Sequence, residues 1–296
     1  MKKRIYVLGS LSMELEMELD HFPRRGEELY GVGIHHNPGG KGGNQAIAAS
    51  FYSGDVKLLS SVGIGAFSKD IIENLKSFNV NTENIKRVDV HTGTTIHMTS
   101  QGQREIINSS GANDYINEED ISLFLSDAAK GDIFITQLEL PMVTIKYAIS
   151  FAKAKGMTII LNPAPASTEI TDILYDVNYL IPNEEEYKII TGGTLDLSQA
   201  SLSMPNLNTI VTLGSDGVYW IDKDLRFSAL EVDKAIDSRG AGDAFIGAFA
   251  AMLAEGKEVT YAIAFARTVA SLSCQVRGVS NGLKPKEEIE AEFLEN

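Results

Sequence analysis

Apolar and polar positions along the chain follow two rhythms. Short β-rich runs recur as "RIYVLG", "VKLLSSVG", "DIFITQ", "MTIILN", "VNYLIP" and "NTIVTLG", and several lead into helix-length amphipathic segments such as "SKDIIENLKSFN", "TIKYAISFAKAKG" and "NEEEYKIITGG". Strand and helix in alternation predict a doubly wound α/β core, a mostly parallel central sheet with helices on both faces. Two other regions alternate strictly. In "MELEMELD", Met13, Leu15, Met17 and Leu19 face one way while Glu14, Glu16, Glu18 and Asp20 face the other, the pattern of a half-buried strand. Its expected partner is "ELYGVGIHH", and a second pair is "TTIHMTS" with "REIINSS" across "QGQ". Such pairs are too small to bury both faces, so they are expected to form a β-sheet lid, inserted at about 12–37 and 94–109 in a single α/β domain spanning 1–296. The lid's apolar side must meet substrate, body or another subunit, and pairing two lids in a homodimer would protect their edges.

Composition narrows the picture. The 296 residues suffice for one large α/β domain or two small ones, and a net charge of −14 argues against a non-specific nucleic-acid binder. One cysteine, Cys274, excludes an intramolecular disulfide and the usual cysteine-rich zinc clusters, and fits a reducing cytoplasm. The apolar run Ile5–Leu8 is shorter than the ~7–15 residues of a signal-peptide core, and is expected as a buried first strand. No uncharged stretch approaches the ~20 residues of a membrane span, so a soluble protein is expected.

Two glycine-rich stretches carry candidate chemistry. "NPGGKGGNQAIAAS" sets Gly39, Gly40, Gly42 and Gly43 around Lys41 and is expected to enter an Ala-rich helix from Asn44. Glycines there admit a ligand to the backbone, and a helix start attracts anions or hydroxyls; a tight turn is the competing reading. The stretch is not a P-loop, since His35 and Gly42 stand where Gly and Ser or Thr are needed, and "GSLSME" lacks the later glycines of a dinucleotide fingerprint. "DSRGAGDAFIGAFAAMLAEG" repeats the device at Gly240 and Gly242 before a helix apolar nearly all round. Asp243 there reads equally as a helix cap or as a base beside an anion site.

Further acids and amides fall after predicted strands. Asn183 and Glu186 in "LIPNEEEYKI" suit either a helix dipole or water around a magnesium ion. Glu139 in "TQLELP", with "NPAPA" and "TLGSDGV", lies where an open α/β sheet binds ligands, and together these loops describe a nucleotide-sized cleft. The five histidines, His21, His35, His36, His91 and His97, have no metal-ligand spacing and neighbour no credible nucleophile. Trp220 and Cys274 read as core.

In this order, "GSLSME", "NPGGKGGNQA", "QLE", "NPAPA", "PNEEE", "TLGSDGV" and "RGAGDAF" resemble the ribokinase branch of the PfkB carbohydrate kinases over nearly the whole chain. The resemblance implies ATP-dependent phosphorylation of a sugar's primary alcohol, D-ribose first, with another small sugar or a nucleoside as the alternative. A silent sugar-binding sensor is the rival of another class. Asp243 would accept the hydroxyl proton while the amides of Gly240, Ala241 and Gly242 hold phosphoryl charge. Ser12, Glu14, Gly40, Lys41, Asn44 and Glu139 match sugar-binding positions. Asn183 and Glu186 match an N-x-x-E element that organises Mg2+ and phosphate. Thr212, Gly214, Gly217 and Gly242 match nucleotide-binding positions, and the region from Arg267 to Gly282 would close over adenine. A monovalent cation, K+, would involve Asp237, Arg239 and the "RGVSNG" loop. Two departures stand out: Ser12 and Glu14 replace the usual Asn and Asp, which reshapes the pocket, and Arg239 replaces a small or uncharged residue. The direction of the Arg239 side chain decides how the cation site is read.

Overall fold

In the computed structural model, which describes residues 3–192, 207–232, 234–276, 278 and 280–295, the first apolar run becomes the middle of a nine-stranded sheet. The elements, in chain order, are β1 (Ile5–Leu8), β2 (Ser12–Glu18), β3 (Val32–Gly39), α1 (Lys41–Tyr52), β4 (Val56–Val62), α2 (Ala66–Ser77) and β5 (Ile85–Arg87). There follow β6 (Gly93–Ser100), β7 (Gln103–Ser109), α3 (Glu118–Phe124), β8 (Ile133–Thr136), α4 (Met142–Ala154), β9 (Thr158–Leu161), β10 (Tyr179–Leu180) and α5 (Glu184–Thr191). The last are β11 (Asn208–Thr212), β12 (Val218–Trp220), β13 (Leu225–Phe227), α6 (Ala241–Ala254), α7 (Val259–Ser273) and α8 (Lys286–Glu295). The large sheet runs β13-β12-β11-β10-β9-β8-β1-β4-β5. Its strands from β11 to β5 pair in parallel, and only the pairings of β12 with β11 and with β13 are antiparallel. All six predicted β-rich runs are members of it.

Both faces of this sheet are covered, as strands without a polar face require. Ile5 and Val7 pack into one core with α1, α6 and α7, while Tyr6 and Leu8 enter a second with α3 and α4. Trp220 is buried, as expected, and Cys274 closes the end of α7 half-buried rather than in the core. Among the described residues no helix is long and apolar enough to cross a membrane.

The second sheet has the order β3-β2-β6-β7. Its β6–β7 turn places Gln101 and Gly102 at positive φ, 49° and 79°, the geometry that matches hairpin twist. Register lines up its side chains in rows: Asn37, Glu14, Thr95 and Asn108 in one, His36, Leu15, Ile96 and Ile107 in the next. The acidic side of β2 faces the large sheet's ligand edge, and the row of Leu15, Ile96 and Ile107 falls on the opposite face. Of the three fates open to that apolar side, contact with the body is met at Met13, buried in the core with α1 and α6, and at Leu15, packed against it. Strand β3 begins four residues later than the expected "ELYGVGIHH" and continues through Pro38 to Gly39. Proline is tolerated because β3 is an edge strand whose missing N–H costs no ladder bond. Helix α1 accordingly starts at Lys41, not Asn44, with Gly40 as its N-cap at φ 92°.

One contact between helices positions the site. A Cβ added at Gly247 of α6 would stand 2.5 Å from the Ala48 Cβ and 2.6 Å from the Gln45 carbonyl oxygen of α1. The two helices meet with backbone against side chain, which brings the first turn of α1 beside the first turn of α6. Gly247→Val should force them apart and destabilise the fold by ~1–3 kcal/mol, read as a lowered melting temperature, with Ala250→Gly as a variant that opens no such clash.

Candidate active site

A cleft of about 930 Å3 opens between the ligand edge of the large sheet and the acidic side of the small one. Asp243 lies at its floor. Gly240, at φ 72°, is the N-cap of α6, so Asp243 is the third residue of the helix, yet its side chain makes no capping bond. Its carboxylate instead accepts from Asn44 Nδ2 at 3.1 Å and from Gln45 Nε2 at 2.9 Å. The cap reading is thus set aside by geometry. Burial pushes the Asp243 carboxyl above its ordinary value, against Lys41 and the two amide donors, while Glu139 adds to the rise.

Helix starts supply the rest of the floor. The Ala241 amide, expected to hold phosphoryl charge, donates instead to the Ser238 carbonyl at 3.3 Å, whereas the amides of Gly240, Gly242 and Asp243 have no acceptor among the described residues. Gly242 is exposed. Free amides at the positive end of a buried helix are an anion site in waiting.

Around this floor the sequence's candidates divide. Ser12, Glu14, Gly40, Lys41 and Asn44 line the cleft, as do Glu139, Glu186, Asp237, Arg239 and Gly240. Glu139 is fixed from three directions: its Oε2 accepts from the Lys41 amide at 3.1 Å and from Ser10 Oγ, and its Oε1 lies 4.0 Å from Lys41 Nζ. Burial disfavours the Lys41 ammonium, but Asp243, Glu139, Glu186 and Glu14 outweigh it and hold its pKa above the ordinary value. Gly40 is glycine by necessity, since its positive φ brings the Cβ position to 2.8 Å from Leu11 Cα.

Asn183 and Glu186 form a reciprocal capping box on α5, each side chain accepting the other's amide at 2.8 Å. The helix reading of that pair is therefore met, and Glu186 serves the cleft as well. Burial raises its carboxyl, with Asp243 adding to the rise and the Asn183 amide and Lys41 opposing it.

Thr212, Gly214 and Gly217 stand outside this cleft, one strand along. Thr212 bridges to Asn183, and both glycines have positive φ, 57° and 93°. Gly217 also packs its Cα side onto Phe227, where a Cβ would meet the carbonyl oxygen at 2.0 Å. Arg277 and Val279 of "RGVSNG" lie outside the described residues.

Several site residues escape sequence reading. Gln45 bonds Asp243 and Asn162 through Nε2 and accepts from Gln137 Nε2 at 2.7 Å, and Asn162 Nδ2 donates to the Ile181 carbonyl. All three amides are buried. Gln45, Gln137 and Asn162 sit inside quoted motifs, and amides near the start of α1 and just past the ends of β8 and β9 were the available signal. His97 is 6% exposed, 3.7 Å from Glu14 Oε2, and neither ring nitrogen has a hydrogen-bond partner among the described residues. Its place beside Glu16 in the period-2 register would have put it on the acidic side.

A buried carboxylate beside helix-start amides that have no acceptor among the described residues, in a cleft between an α/β sheet and a small β-sheet, is an arrangement suited to phosphoryl transfer. The chain belongs to the pfkB family of carbohydrate kinases, whose profile matches residues 2–287. It is 34% identical over 292 residues to the ribokinase of Bacillus subtilis, covering 97% of this chain and 98% of that one. It is 33% identical over 290 residues to the deoxyribokinase of Salmonella typhi, covering 94% of each. The structure of an Arabidopsis thaliana ribokinase complexed with ribose and ATP superposes with a TM-score of 0.85 at 25% identity, over 99% of both chains. The fold is ribokinase-like, and the protein is a carbohydrate kinase.

The amide network gives a direct test. Gln45→Leu removes a donor that lowers the Asp243 pKa and strands Gln137, so the Asp243 carboxyl titration, followed by carbon NMR, should move to higher pH. Stability should fall by ~1–3 kcal/mol. An unmoved titration would remove Gln45 from the site.

Proposed function

We propose that the chain transfers the γ-phosphoryl group of ATP to the primary hydroxyl of D-ribose, giving ribose 5-phosphate. The observation that carries this reading is the buried Asp243 carboxylate beside three amides without an acceptor among the described residues, open to a cleft lined on the other side by the polar row of Asn37, Glu14, Thr95 and Asn108. A sugar seated between presents a hydroxyl to Asp243 and its ring hydroxyls to that row. Asp243 takes the hydroxyl proton as the new bond forms. The Gly242 and Asp243 amides, with the α6 dipole, receive the charge of the transferring group, Gly240 giving the turn that exposes them. Lys41 holds Glu139, which with Asn44, Gly40 and Ser12 positions the sugar.

The nucleotide is assigned to the neighbouring loop of Thr212, Gly214 and Gly217, with the region from Arg267 to Gly282 over the base. Glu186 fits a hydrated magnesium ion: its Oε2 is spent on the cap, leaving Oε1 for water. Bound there, the ion neutralises phosphate charge. Asn183 contributes by fixing Glu186.

Potassium meets a different situation at Asp237. Its Oδ1 accepts from the Arg239 amide and Nε, and its Oδ2 from Arg239 Nη2 and the Gly278 amide. A carboxylate with four donors has no position left for a cation, so no step is assigned to one.

The small sheet is assigned the role of lid. Its outward row is half open to solvent, Ile107 being 55% exposed, which supports a homodimer through two such faces. A single cysteine supports a cytoplasmic location.

The deoxyribokinase relative makes 2-deoxyribose the second substrate to test, and the Ser12 and Glu14 departures keep other sugars and nucleosides in the panel. ADP release with ribose above 2-deoxyribose, fructose and nucleosides is expected; release with none would favour the silent sensor. Asp243→Asn should lower kcat by ~10²–10⁴-fold. Because the raised carboxyl must ionise to act, kcat/KM should rise with pH through a pKa above the usual ~3.9 of aspartate. The sign for stability is opposite: the folded state binds this proton more tightly, so the group's contribution falls as pH rises from the ordinary value through the raised one. Asp243→Asn should therefore not destabilise the fold at neutral pH. Ile107→Glu should give monomers by analytical ultracentrifugation.

A further inference from the structure

Arg239 stands one residue before the N-cap of α6 and reaches in two directions. Its Nε and Nη2 grip both oxygens of Asp237 at 2.8 and 2.7 Å, and its Nη1 meets Glu16 Oε2 of the small sheet at 3.0 Å. The guanidinium is only 22% exposed, and the Asp237 side chain 8%. Burial opposes ionisation of Asp237, but Arg239 and the Gly278 amide prevail and hold its carboxyl below the ordinary value. Hydrogen bonding to Asp237 and Glu16 in turn holds the Arg239 proton more tightly than usual. The main chain is anchored to the end of α7: the Ile236 and Asp237 amides donate to the Cys274 carbonyl at 2.7 and 3.0 Å.

We infer that Arg239 is the resident cation of the loop that opens α6, doing there what a bound monovalent cation would do, so that the kinase proposed above works without potassium. A planar fork with fixed charge orders Asp237, the Gly278 turn and the start of α6 as one unit. A second cation at Asp237 would meet a filled carboxylate and a like charge within a few ångströms, and the buried setting screens that repulsion little. The third arm adds something a diffusible ion cannot. It ties Glu16 on β2 to the loop bearing the free amides, so the small sheet and the anion site share one charge. Arg239 is thus a positioning residue acting through Asp237 and Glu16.

The test compares potassium chloride with tetramethylammonium chloride at matched ionic strength, reading both turnover and melting temperature. For the wild type, kcat/KM should agree within about twofold in the two salts, and potassium should add no stability. Arg239→Ala should lose on the order of tenfold in tetramethylammonium and recover part of it with potassium or guanidinium, with a potassium-dependent rise in melting temperature. Arg239→Lys, which keeps the charge but not the fork, should fall between. Potassium dependence of about tenfold in the wild type, or potassium-specific stabilisation of it, would overturn the inference. So would an Arg239→Ala enzyme as active as the wild type in tetramethylammonium. If no sugar is phosphorylated in either salt, the kinase reading fails, and the wild-type melting comparison still decides this one.

Discussion

The site depends on the close meeting of α1 and α6. Because Gly247 has no side chain, Ala48 and the Gln45 carbonyl can lie against the α6 backbone, and two helix starts nearly 200 residues apart in sequence converge. That convergence places Asn44 and Gln45 on the two oxygens of Asp243. Their amides orient the carboxylate toward the cleft and spare it from capping its own helix. A buried acid would otherwise be an unpaired polar group of high cost. Here it is bonded, but by neutral donors, which leaves its affinity for a proton raised.

Charge in the cleft is organised around Lys41. One ammonium faces Asp243, Glu139, Glu186 and Glu14, an excess of negative charge that the positive helix ends at the cleft offset in part. Burial raises Asp243 and Glu186, and Lys41 opposes both. The same ammonium therefore orders Glu139 and limits how far the Asp243 carboxyl is shifted. Arg239 plays a matching part, where it pairs with Asp237 and Glu16. Lys41 and Arg239 thus each hold a different set of the site's acids.

The alternating strands show how one pattern can serve two surfaces. In β2 the glutamates look toward the cleft and the leucine row looks away, so the side that resembles an outer surface is the working one. Period-2 alternation reports which residues share a face, and it cannot say which face is inward. His97 illustrates the loss: read alone it neighbours nothing, but register sets it beside Glu16 and near Glu14.

Much of the fold was legible because its signals are local. Buried parallel strands, amphipathic helices and glycines at helix starts each depend on a few neighbouring residues, and all six β-rich runs entered the large sheet. The paired motifs around Lys41 and Asp243 were legible for the same reason. Boundaries at β3 and α1 were not, because Pro38 and the glycines around Lys41 are tolerated in strand and helix only by virtue of an edge position and a close neighbour. Whether Asp243 caps or faces the cleft, and which way Arg239 points, also had no local answer. Each depends on partners roughly 200 residues distant, Asn44 and Gln45 in one case and Glu16 in the other. The sequence by itself determined the elements and the chemical groups available; the tertiary structure decided which groups meet, because a side chain's direction is set by what packs against it.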